Sequence, residues 1–148
     1  MEELIQQTNI IGNITTIIIN LSSCYFNLVS NKNSKKEDYQ KNISKINDYL
    51  DELSKYSIEY WCKEELSYDR RDIIAQLIKR QNHKISNTLT LINKKFHKFQ
   101  KKSKSIERAI EINIETSGDG FETNAVQKDL EKCKKILKLI SEFERYLQ

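Results

Sequence analysis

The chain has 148 residues, 31% of them charged, with a net charge of +4, no proline and three glycines. That length suits one domain able to bury about two thirds of the surface its unfolded chain exposes. The lack of proline lets helices run long, and regular apolar spacing at 38% hydrophobic content excludes a disordered chain.

Leu4 to Asn31 covers 28 residues without a Lys, Arg, Asp or Glu. Leu4, Ile11, Ile18 and Tyr25 recur every seven residues, with Gln7, Ile14, Leu21 and Leu28 beside them. Ile10, Ile17 and Cys24 widen that face, while Gln6, Asn13, Asn20 and Asn27 line the opposite one. The pattern predicts an amphipathic helix over about 3–30. Its longest purely apolar run is Ile17 to Ile19, far short of the roughly 20 residues of a membrane span. A polar stripe along the whole helix would also leave amides unsatisfied in lipid. Glu2 and Glu3 stand where a signal peptide carries basic residues. The segment therefore reads as the core helix of a bundle, without membrane contact, in a cytoplasmic protein. Were its Asn stripe exposed, the helix would offer an uncharged surface suited to self-association.

A polar turn is expected at Asn31–Ser34, and Ser34 followed by Glu37 has the form of a capping box. The second predicted helix spans about 35–62, with Tyr39, Ile43, Ile46, Leu50, Leu53, Ser57 and Tyr60 spaced by threes and fours. Residues 63–72 form the next expected turn, with Ser67 or Asp69 as the following cap. A third helix is predicted over about 70–103, on Ile74, Ile78, Gln81, Ile85, Leu89, Ile92, Phe96 and Phe99. Ile106, Ala109, Ile110 and Asn113 either extend that face or form a short extra helix near 105–115. Two glycines flanking Asp119 mark a loop, and a last helix over about 124–147 carries Val126, Leu130, Cys133, Leu137, Ile140, Phe143 and Leu147. The fold expected is all-α, a single antiparallel four-helix bundle of up-down-up-down order.

Charge is unevenly spread. Residues 73–106 hold no acid and nine bases, namely Lys79, Arg80, Lys84, Lys94, Lys95, Lys98, Lys101, Lys102 and Lys104. Residues 37–69 hold nine acids against four lysines. The basic stretch is either balanced by the acidic helix before it or free to bind nucleic-acid phosphates. Phe96 and Phe99 continue the apolar line and read as core rather than as stacking platforms. A second candidate surface is the aromatic cluster Tyr49, Tyr56, Tyr60, Trp61 and Tyr68, residue types enriched at binding hot spots.

Catalytic chemistry finds little support. His83 and His97 lie about 21 Å apart along one helix, too far to share a metal or a proton. The chain has no Gly-rich phosphate loop, HExxH or Gly-x-Ser-x-Gly, and its three cysteines form no CxxC. No catalytic residue, metal, cofactor or small-molecule substrate is expected. The function that follows is protein–protein interaction, as an accessory, adaptor or inhibitor subunit or as a homo-oligomer. Nucleic-acid binding through the basic stretch is the alternative.

Overall fold

The computed structural model describes residues 2–63, 66–96, 102–118, 121 and 129–147. Among them are four α-helices and no strand: α1 (Glu2–Cys62), α2 (Tyr68–Lys95), α3 (Lys102–Ser117) and α4 (Leu130–Leu147). The all-α class is as expected, but the boundaries differ.

The two helices predicted at 3–30 and 35–62 are one helix of 61 residues. The turn expected at Asn31–Ser34 is helical because nothing there breaks a helix. Asn, Ser and Lys each cost only a few tenths of a kcal/mol relative to Ala, whereas a stop needs Gly or Pro. The Ser34–Glu37 pair has capping-box spacing, yet Ser34 remains inside the helix. The third predicted helix ends early, at Lys95, and α3 is separate, which is the short extra helix foreseen near 105–115. Phe96 closes α2 by donating its backbone N–H to the Ile92 carbonyl at 2.9 Å. Phe99 and the expected start of the last helix near 124, with Val126, lie outside the described residues.

The chain divides into two compact units, Met1–Asp38 and Tyr39–Gln148, where length alone suggests one domain. In the second unit the alternating lines form the core. Ile43, Ile46, Leu50, Leu53, Ser57 and Tyr60 are buried from α1, and Ile74, Ile78, Gln81, Ile85, Leu89 and Ile92 from α2. Both are the lines read from the sequence. Fully burying a large aliphatic side chain stabilises by roughly 1.5–3 kcal/mol, so these rows dominate the energetics of the unit. Phe96 is buried too, edge-on to Tyr39 with ring centroids 5.8 Å apart.

α3 departs from its expected phase. Ser105, Ala109, Ile112 and Thr116 are buried, while Ile106, Ile110 and Ile114 are exposed. The expectation extended the α2 face across a break, and a new helix sets its own rotation. A buried hydrogen bond marks the face actually used: Asn82 Nδ2 donates to Thr116 Oγ1 at 2.9 Å, and Thr116 Oγ1 donates to the Ile112 carbonyl at 2.8 Å. α3 packs against α2 and α4. Arg108–Glu142 at 3.5 Å and Lys135–Glu115 at 2.7 Å tie it to α4. In α4, Cys133, Ile136, Ile140 and Phe143 are buried, whereas Leu130 of the expected line is exposed.

Side chains secure the helix starts. Ser67 Oγ accepts from Arg70 N at 3.3 Å, as foreseen for α2, and Asp129 Oδ1 accepts from Lys132 N at 2.8 Å before α4. Arg70 also makes a two-pronged contact with Glu59, at 2.9 and 3.0 Å, joining the start of α2 to the last turns of α1. The α3 exit is tight: a Cβ on Gly118 would collide with the Ile114 carbonyl, so only glycine fits without a shift.

Candidate interaction surface

The first unit is a single helical segment, so it contains no second element for its apolar side to pack against. Residues 16–37 are exposed throughout. Ile17 and Ile18 are each 57% exposed, Leu21 and Tyr25 66%, and Leu28 70%. Ile19 and Phe26 are exposed as well, and Tyr25 and Phe26 meet edge to face at 6.2 Å. The expectation of a core helix is therefore overturned for the described part of this segment. The reason is visible between Ser30 and Asp38, nine residues without an apolar side chain. The apolar line lapses there and resumes with Tyr39 and Ile43, from which point burial begins. Gln7 and the residues up to Thr15 belong to the same helix. Asn20 and Asn27 of the neutral stripe are exposed.

The aromatic cluster is split by the fold. Tyr60 and Trp61 are buried at 1% and 3% exposure, their rings 5.0 Å apart, with Phe121 against both. Lys132 Nζ sits 4.0 Å above the Trp61 ring, and the Asp129 N–H donates to the Trp61 carbonyl at 2.9 Å. Tyr49 and Tyr56 are half-buried against the core, and Tyr68 stands 72% exposed. The Tyr56 hydroxyl is hydrogen-bonded to Glu52, which raises the phenol pKa; that bond and the nearby Lys55 lower the Glu52 carboxyl. Sequence reasoning thus offered five aromatic residues as a surface, and the structure makes two of them core.

The basic residues are mostly at the surface. Lys79, Arg80, Lys94, Lys95 and Lys104 are exposed, while Lys84 is half-buried with its ammonium 5.0 Å above the Tyr49 ring. Lys79 lies 5.9 Å over Phe121 and Lys95 5.4 Å over Phe96. Lys102 is the first residue of α3; Lys98, Lys101 and His97 lie outside the described residues. The field of Lys84 contributes to lowering the Glu52 carboxyl, so basic α2 and acidic α1 do interact at this point. Phe96, read as core, is core.

One pairing was missed. Cys62 and Cys133, 71 positions apart in sequence, are hydrogen-bonded thiol to thiol. Burial pushes the Cys133 thiol up to about 12, with Cys62 and Asp129 adding to the effect. Cys24 is exposed. Among the described residues no three His, Cys, Asp or Glu side chains are placed to hold a metal, and no helix is long and apolar enough to cross a membrane. No known family model, curated protein or solved structure matches this chain.

Proposed function

We propose that this chain is a non-catalytic helical protein that works by protein–protein contact, as an accessory, adaptor or inhibitor subunit or as a homo-oligomer. Its contact surface is the apolar side of the first unit. The observation that carries this reading is the row Ile17, Ile18, Leu21, Tyr25 and Leu28, each more than half exposed on one helix. Contiguous apolar surface of that kind is uncommon on a monomer and marks an interaction site. A cytoplasmic setting suits the three unpaired thiols.

The test is affinity purification from native extract of the wild type and of Leu21→Glu, followed by the mass of what elutes. Recovery of a defined complex from the wild type and its loss in the variant is the expected result. Monomeric chain without a companion in both samples overturns the proposal.

A second reading has its own support in exposed Lys79, Arg80, Lys94, Lys95 and Lys104. Lysine-mediated phosphate contacts weaken linearly in log salt, so retention on single- and double-stranded nucleic acid titrated with salt measures them. A slope worth several phosphates, lowered by about two when Lys94 and Lys95 become Gln, would favour nucleic acid over protein. No retention at low salt removes that reading.

A further inference from the structure

We propose that the occupant of the exposed apolar face is a second copy of the same segment, paired with it antiparallel. The self-pairing rests on the interaction reading above and names its partner. Three features on this helix choose the occupant. The first is the period. Apolar positions recur at seven residues, which matches another helix in a left-handed supercoil, whereas a straight helix drifts by about 20° per seven residues relative to that repeat. A flat surface such as a bilayer demands no such repeat. The second is neutrality. A distinct helical partner is selected largely by charges flanking the seam, and helices lying on membranes carry Lys and Arg there. Here the flanks are Thr8, Thr15, Ser22 and Val29 on one side and Ile10, Ile17 and Cys24 on the other. No charge among them repels an identical helix.

The third feature is that these flanks are unequal, and this fixes direction. Two identical helices lying parallel are related by an axis along their length, which sets each helix's apolar flank against the other's polar flank. Ile17 would then face the Thr and Ser side. Lying antiparallel, they are related by an axis across them. Apolar flank then meets apolar flank, and polar meets polar.

The register follows from the seam. Centred on position 16, positions 18, 21, 25 and 28 of one copy fall level with positions 14, 11, 7 and 4 of the other. Ile18 is matched with Ile14, Leu21 with Ile11 and Leu28 with Leu4, while the two seam residues with polar ends, Tyr25 and Gln7, are matched with each other. Apolar residues meet apolar ones at every other level. In this register Ile17 lies beside its own twin. The two Cys24 residues lie about 24 Å apart along the axis, sixteen positions at the helical rise.

Cross-linking reads this geometry. Full-length chain carrying Ile17→Cys and Cys24→Ser is treated with a short bis-maleimide, and cross-linked peptides are identified by mass. The wild type is treated in the same way. Antiparallel pairing gives a 17–17 link in the variant and no 24–24 link in the wild type. A 24–24 link, with or without a 17–17 link, means parallel pairing, in which both positions lie level with their twins, and overturns the proposal. Sedimentation supplies the second measurement: the wild type runs at twice the chain mass at micromolar concentration, and Leu21→Glu runs as a monomer with its helix content otherwise kept.

A wild type that is monomeric at every concentration overturns self-pairing. If that monomer still recovers a different protein from extract in a Leu21→Glu-sensitive way, the interaction reading stands and only the second copy falls. If it recovers nothing, both fall. Dimer that dissociates onto neutral phosphatidylcholine vesicles also overturns the pairing, since a bilayer would then be the preferred cover.

Discussion

Cys133 and Cys62 show how one contact divides two chemically identical groups. The thiolate is the reactive form of cysteine, and Cys133 is both buried and pushed up to about 12, so it has almost none at neutral pH. Alkylation of native protein should therefore label exposed Cys24 first, half-buried Cys62 next and Cys133 last, with the order erased in denaturant; peptide mass mapping over time checks this. Two carboxylates pull stability in opposite directions with pH. Glu59 is lowered chiefly by the hydrogen bond from Arg70, so its anion favours the fold. That contribution is present above the unfolded carboxyl pKa and is lost as pH falls through the lower folded value. Glu144 is raised, first by burial and then by Asp51, so its neutral form favours the fold and its anion disfavours it at neutral pH. Thermal melts should show Arg70→Met lowering the midpoint at pH 7 and Glu144→Gln raising it. The Glu144 difference should shrink as pH falls through that residue's raised folded value, and the Arg70 difference only at lower pH, as Glu59 is protonated in the fold.

At the scale of elements, the lesson lies in where α1 does not stop. A capping-box spacing and a run of Asn, Ser and Lys read as a turn, but a helix ends only when something competes with its next hydrogen bond. Nothing between Asn31 and Ser34 does. Asn33→Pro distinguishes the two cases. In a turn leading into a helix, proline at that place is tolerated, whereas inside a continuous helix it costs about 3 kcal/mol or more. The expected result is a loss of far-UV helical signal in the variant. The lines of α1 beyond Tyr39 and of α2 were legible because each repeats the 3.6-residue period over several turns. α3 was misphased because its rotation is set by what it covers, with Asn82 reaching Thr116, and that partner is 34 residues away in sequence.

For the molecule as a whole, the same apolar spacing serves two ends. In Tyr39–Gln148 it is consumed within the chain, and in Met1–Asp38 it is left exposed at Leu21 and Leu28. Phe143→Ala should therefore cost roughly 3–5 kcal/mol of unfolding free energy in urea titration. Leu21→Ala should leave the monomer's unfolding free energy almost unchanged and instead weaken association, as seen by sedimentation. The sequence by itself determined the helical class, the core rows of α1 and α2, and the neutrality and seven-residue repeat of the N-terminal face. These depend on local spacing and composition, which one chain carries in full. Only the tertiary structure decided which apolar rows are buried, that Tyr60 and Trp61 are core while Tyr68 is surface, and that Cys62 meets Cys133. Burial depends on what another segment brings alongside, and a helix carries the same stripe whether a neighbour in its own chain covers it or a second chain must.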